Sequence, residues 1–304
     1  MTPTDPTLPR HDAAGAPGEQ RHETAGTPAA QPVSGGVAPS SPRVWTRYVA
    51  VGDSFTEGMC DDDPALVHDG EFAGWADRLA AHLSQITQGA GAGFGYANLA
   101  VRGRKLADVV GPQLDDALAL SPDLVSIVGG GNDILRPKAD LDALAAELER
   151  AVARVRATGA DVLMATPVDP ADAPLVKATR GRAAVHSANV WSIAQRHGAH
   201  VVDQWGMRAL RDWRMWSEDR IHMTSEGHRR VSLAALAALG HPAADDWQTP
   251  LDPAPPIGRR EALQANAQWA REYVGPWVHR RLTGRSSGDD RRAKRPDVTP
   301  VDPT

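Results

Sequence analysis

RYVAVGDSFTEG, residues 47–58, is the stretch that decides the fold. Its apolar half is short, continuous and bounded by Gly52 and Asp53, which predicts a strand buried on both faces; a half-exposed strand would alternate apolar and polar residues. The chain then turns sharply through Gly52-Asp53-Ser54. Working outward, four more runs of the same kind follow: YANLAV (96–101), DLVSIVGG (123–130), DVLMATPV (161–168) and HVVDQW (200–205). Between them, FAGWADRLAAHL (72–83), DALAAELERAVARVRATG (142–159) and RGRAAVHSANVWSIAQRHG (180–198) space their apolar residues by three and four, the helical period. Gly159 and Gly198 sit where a helix C-terminal cap is expected. A last helix, SEGHRRVSLAALAAL (225–239), stops before Gly240, His241 and Pro242. Strands alternating with helices predict a three-layer α/β/α, doubly wound, flavodoxin-like domain with a five-stranded parallel sheet over 45–240.

The flanks read differently. Residues 1–44 are rich in Pro, Gly, Ala, Ser and Thr and lack apolar periodicity, so they cannot bury enough surface to offset ordering entropy; a disordered tail is expected. Residues 241–304 carry several prolines and a mixed-charge end, and predict a short helix near 259–274 packing back on the domain, then a loose tail. The single cysteine, Cys60, excludes an internal disulfide and a multi-cysteine metal site. A net charge of −5 offers no electrostatic case for nucleic acid or an anionic membrane. No run reaches the roughly 18 apolar residues of a membrane span, and the N-terminus lacks the basic and apolar regions of a secretory signal. A cytoplasmic location is therefore expected, and the oligomeric state stays open.

In an open α/β sheet, ligands bind beyond the carboxyl ends of the strands. Four segments there carry chemistry: GDSFTEG (52–58), VRGR (101–104), GGND (130–133) and DRIH (219–222). A serine on a tight turn after a buried strand is exposed at the sheet edge, where a nucleophile belongs. A serine hydroxyl needs a base, and an imidazole serves near neutral pH. His222 is the candidate base, and Asp219, three residues earlier, can reach the other ring nitrogen to fix the tautomer.

In order and spacing these blocks resemble the SGNH/GDSL hydrolase family across about 45–240. GDSFTEG resembles the GDS block, Gly103 the glycine block, GGND the GxND block and DRIH the DxxH block. Phe55 replaces the family's usual leucine and is expected to pack inward. PWVHRRLTGRSSGDDRRAKRP (276–296) looks like the tail of intracellular actinobacterial members. The resemblance implies an SGNH-type fold, a Ser54-His222-Asp219 triad, and an oxyanion hole built from the N–H groups of Ser54 and Gly103 and the side-chain amide of Asn132. It implies a serine esterase or lipase that cleaves small acyl esters through an acyl-enzyme, with no cofactor and no metal. An acyltransferase or thioesterase would use the same machinery, and a non-catalytic binding module remains a further alternative.

Competing readings attach to several residues. Asp53 reads as a loop-former and Asp133 as a turn cap; His228 falls inside the last helix as a solvated or packed residue; Asp203, ending the fifth strand, rivals Asp219 as orienter. The run Asp61-Asp62-Asp63 reads as a solvated turn. GRSSG (284–288) matches the G-x-S-x-G elbow of another hydrolase class, but lacks the preceding strand and following helix that motif requires. Arginines of 280–295 are interrupted by Asp289 and Asp290 and predict no nucleic-acid face. Segments 59–71 and 168–180 are expected to line the pocket.

Overall fold

The alternation Tyr48-Val49-Ala50-Val51 sends successive side chains to opposite faces of a pleated strand, and all four are fully buried. In the computed structural model, which describes residues 43–64, 71–173, 176–254, 258–275 and 286–301, this run is strand β1 (Arg47–Gly52). It pairs in parallel with β2 (Gly95–Asn98) on one side and β3 (Leu124–Val128) on the other. Strands β4 (Asp161–Ala165) and β5 (His200–Val202) extend the parallel sheet beyond β3. The expected disorder of 1–44 falls, up to residue 42, outside the described residues.

Helices α1 (Ser54–Glu57) and α2 (Trp75–Gly89) follow β1. Between β2 and β3 lie α3 (Leu106–Asp108), a π-helical turn over Val109–Gln113, and α4 (Leu114–Ala119). The sequence reading names no helix here, because Gly111 and Pro112 break the period; Gly111 indeed leaves helical geometry at φ −99°, ψ −105°. The short α5 (Gly131–Ile134) and the long α6 (Leu141–Ala157) precede β4, α7 (Arg180–His197) precedes β5, and α8 (Ser225–Ala238) closes the alternation. Asp140 caps α6 by accepting from Asp142 N and Ala143 N, while Gly198, at φ 62°, ends α7 as expected.

Two cores flank the sheet. Trp75, Leu79 and Leu83 of α2 and Val231 and Ala235 of α8 cover one face with Tyr48 and Ala50. Leu114 of α4, Leu148 and Val152 of α6, and Val190 and Ile193 of α7 cover the other with Val49 and Val51. Each such large apolar side chain contributes roughly 1.5–3 kcal/mol on burial.

Among the described residues the sheet has six strands, in the order β5-β4-β3-β1-β2 followed by β6 (Arg295–Pro300), not the five expected. The extra strand runs antiparallel to β2 and lies within the segment expected to be a loose tail. RPDVTP has neither apolar alternation nor burial to announce it, and its two prolines are tolerated because it is an edge. What holds it is remote: Lys294 Nζ donates to Phe72 O (2.6 Å), Ala73 O (2.6 Å) and Asp77 Oδ2 (2.8 Å), and the Arg295 guanidinium lies over the Tyr96 ring at 5.4 Å. The expected helix near 259–274 is present as α9 (Arg259–Trp269) with a π-helical turn over Ala270–Val274.

Candidate active site

The chain leaves β1 toward β2 on one side and later returns to β3 on the other, so the crevice between the carboxyl ends of β1 and β3 is the switch point where ligands bind. Ser54 sits there as the first residue of α1. Asp53 caps that helix, its Oδ1 accepting from Phe55 N at 3.1 Å, and is itself 8% exposed. Burial pushes its carboxyl up to about 6, against the Phe55 N–H and the nearby His222 charge. Phe55 points inward, stacked on Trp75 and His228 with ring centroids 5.6 and 5.8 Å away.

Gly103 stands in the loop after β2 at φ +76°, a left-handed conformation open to glycine. The loop is tied to α1 by a buried pair: Glu57 Oε2 accepts from Arg102 N at 2.6 Å, and Oε1 accepts from Arg102 Nε at 2.8 Å and from Nη2. Asn132 lies in α5, which opens at Gly130 with φ 93°. Its Nδ2 donates to Asp53 Oδ2 (3.3 Å) and to Arg104 O (2.9 Å), so one amide spans the Asp53-Ser54 turn and the Gly103 loop. Asp133 steadies the same region by accepting from Leu106 N at 2.9 Å.

Asp219 and His222 share one turn, closed by Ser217 N to His222 O (2.8 Å) and Arg220 N to Ser217 O (2.9 Å). Asp219 Oδ1 accepts from Ser217 Oγ, Ile221 N and His222 N at 2.7–2.9 Å, leaving Oδ2 for His222 Nδ1 at 2.5 Å. Burial would lower the imidazole pKa, but the hydrogen bonds with Asp219 and Cys60 overcome it and raise it to about 9. Burial likewise opposes ionisation of Asp219, yet the hydrogen bond from His222 holds its carboxyl well below the usual carboxylate range. Arg220 occupies φ +55°, which costs a non-glycine residue roughly 1–2 kcal/mol.

The structure thus brings Asp219 to His222, and Asn132 to the turns that carry Ser54 and Gly103. Among the described residues, no hydrogen bond joins Ser54 Oγ to the imidazole. The second neighbour of the ring is Cys60: its Sγ, a His222 nitrogen and an Asp219 oxygen lie within 4.8 Å of one another, the one grouping of metal-capable side chains among the described residues. Asp219 spends its carboxylate on the turn's own donors and on His222. The rival residues make other contacts. His228 is fully buried, Nδ1 accepting from Trp75 N (3.2 Å) and Nε2 meeting Met59 O (3.2 Å), while Asp203 contacts Thr166 and Gly206. Asp61 is not solvated as its run suggests: it is fully buried, accepting from Gly74 N and bidentately from Arg78 at 2.7 and 2.8 Å. Of the segments expected to line the pocket, 65–70 and 174–175 lie outside the described residues.

Sequence reasoning missed the Glu57–Arg102 pair, Cys60 beside His222, and His186 of α7, whose ring would stand 3.0 Å from a Cβ at Gly130 and so supports the GGND turn from below. It also missed Ser286. GRSSG is no nucleophile elbow, yet Ser286 Oγ would lie 2.0 Å from a Cβ at Gly103. None of these contacts has a periodic or spacing signal. An acid three residues after the serine of the GDS block is the single cue a reader of sequence had for Glu57.

The sequence profile of the GDSL-like lipase/acylhydrolase family matches residues 50–230. Among solved structures, LAE5, an alpha/beta hydrolase enzyme from the metagenome of Lake Arreo, Spain, is similar at 26% identity and a TM-score of 0.54, with 64% of this chain and 95% of that one covered. A single-residue variant of Axe2, an acetyl xylan esterase from Geobacillus stearothermophilus, shares the fold at 21% identity and a TM-score of 0.55, covering 66% of this chain and 96% of that one. No curated protein matches the chain. No helix among the described residues is long and apolar enough to cross a membrane. With a family profile spanning more than half of the chain over this fold, the chain belongs to the GDSL-like lipase/acylhydrolase family and is an esterase-type hydrolase.

Proposed function

We propose that the protein cleaves carboxylic esters through an acyl-enzyme on Ser54, with His222 as general base and Asp219 as its orienter. The 2.5 Å contact of Asp219 Oδ2 with His222 Nδ1 carries this reading, because it commits one ring nitrogen to a carboxylate and assigns the proton exchange to the other, Nε2. Ser54 Oγ forms a bond to the acyl carbon while its proton passes to Nε2. The carbonyl oxygen takes the electron pair of the broken π bond, and the N–H groups of Ser54 and Gly103 and the Asn132 amide receive that charge. Collapse expels the alcohol, which leaves with the proton from His222. Water, deprotonated by the same nitrogen, then releases the acid and restores Ser54. The Ser54–His222 hydrogen bond belongs to the substrate complex in this scheme; such bonds commonly tighten only when substrate is bound.

Asn132 suits the oxyanion role by position: its amide lies between the Ser54 turn and the Gly103 loop, and on substrate binding it would exchange one of its present acceptors, Asp53 Oδ2 or Arg104 O, for the oxyanion. The test is Ser54→Ala against a chain-length series of p-nitrophenyl esters, together with labelling by a fluorophosphonate. Activity and labelling should both vanish in the variant, and undiminished labelling would remove Ser54 from the role.

A further inference from the structure

The C-terminal helix sits on the turn that carries the acid and the base, and it lies beyond the residues 50–230 that the family profile covers. Trp269 Nε1 donates to the backbone carbonyl of Asp219 at 3.0 Å. The Arg220 guanidinium lies over two rings, Trp269 at 4.8 Å and Trp213 at 5.5 Å from their centroids. Its Nη1 donates to Asn266 Oδ1 at 2.6 Å, and Tyr273 OH donates to Glu218 Oε2 at 3.2 Å. Three consecutive features of the turn, the Glu218 carboxylate, Asp219 O and the Arg220 side chain, are therefore met from α9 and the π-helical turn after it, and the Arg220 backbone between them is left-handed.

We propose that Trp269 is a positioning residue for the Asp219–His222 pair, and that the C-terminal helix is a working part of the catalytic apparatus. The inference rests on the triad reading above. Its logic is mechanical. Within its own turn, Asp219 is fixed through its carboxylate, while its carbonyl meets the C-terminal helix; a turn with one residue in a left-handed conformation has a competing relaxed geometry. The indole N–H fixes that carbonyl, and the two rings in contact with Arg220 keep the side chain from leaving with the backbone. Relaxation of the turn would lengthen the Asp219–His222 contact, and small displacements of a positioned group carry large rate costs.

The experiment compares wild type, Trp269→Phe, Trp269→Ala and Ser54→Ala in the full chain. Phenylalanine keeps a ring over Arg220 and removes only the N–H donor, so it separates positioning from attachment of the helix. Trp269→Phe should lower kcat about three- to tenfold, the range one hydrogen bond produces. KM and the melting temperature should stay near wild type. The rising limb of the kcat/KM profile, set by loss of the His222 proton, should move to lower pH, because Asp219 then meets His222 less well; Asp219, Cys60 and Asp53 are the groups that bear on this imidazole. Trp269→Ala should lower kcat further, on the order of thirtyfold, as the stacking is also lost. A wild-type kcat and an unmoved limb in Trp269→Phe, with Ser54→Ala inactive, would overturn the positioning role and leave the triad standing. Losses that follow the melting temperature alone would overturn it as well. An active Ser54→Ala would overturn both readings together.

Discussion

Replacing Asp219 by Asn tests the electrostatic core of the site. In the folded protein the Asp219–His222 pair holds the imidazole at about 9 rather than its ordinary 6.5. At about 1.4 kcal/mol per tenfold, that is roughly 3 kcal/mol in favour of the imidazolium. The sign follows directly. A base must be neutral to accept the proton from Ser54, so wild-type kcat/KM should climb from neutral pH and level off only above about 9. Near pH 7.5 only about one imidazole in thirty is neutral by the same relation. Asparagine removes the charge while keeping the shape. Burial, which lowers the imidazole pKa, then acts without its main opponent, and the limb should fall to about 6.5 or below. The plateau should fall too, on the order of 10⁴-fold, the cost of a wrongly oriented tautomer in serine triads. The pair also links to folding. His222, with its raised pKa, stabilises the fold fully below about 6.5 and loses that contribution as pH rises through about 9. Asp219, with its depressed pKa, contributes above the ordinary carboxylate range and loses it as pH falls. The assay is kcat/KM for p-nitrophenyl acetate from about pH 6 to about pH 10, with the spontaneous rate subtracted. A limb that stays near 9 in Asp219→Asn, or a wild-type limb near 6.5, would refute the reasoning.

Three further outcomes follow from the geometry. Asn132→Ala should reduce kcat by about 10²–10³, or roughly 2.7–4 kcal/mol, with KM little changed; a loss confined to KM would take Asn132 out of the oxyanion hole. Glu57→Gln leaves the Arg102 guanidinium buried without its counter-charge and should cost roughly 3–5 kcal/mol in urea denaturation. An unchanged midpoint there would show that the pair contributes nothing net. Gly103→Ala meets two penalties, a left-handed φ worth roughly 1–2 kcal/mol and a clash with Ser286 Oγ. Adding Ser286→Gly should recover only the clash; full recovery by that second change, followed by thermal melting, would show that backbone conformation is immaterial at Gly103.

Local composition and pattern were enough for the layered fold. β1, β3, β4 and β5 announce themselves because parallel strands buried on both faces are continuous apolar runs, and α6 and α7 because each pairs an apolar period with a capping glycine or a C-terminal turn. The blocks carrying Ser54, Gly103, Asn132, Asp219 and His222 were legible for a related reason: each sits at a strand exit or on one tight turn, where backbone geometry leaves few residue types usable. Asp219 and His222 are bonded through a three-residue spacing, so their pairing needed no knowledge of the rest of the chain.

Other features were set only when distant segments met. The sixth strand depends on Lys294 finding Phe72 O, Ala73 O and Asp77 more than two hundred residues away. Burial of Asp61 depends on Arg78, the tie between α1 and the Gly103 loop on Glu57 meeting Arg102, and the hold on the Asp219–His222 turn on Trp269 reaching Asp219 O. These contacts join single polar groups across long stretches of chain. No period, cap or turn preference encodes such a partner, because the free energy of each bond depends on where folding puts the other half. Sequence alone therefore determined the layered fold and nominated the groups for the chemistry at its strand ends. Tertiary structure decided what holds them in place.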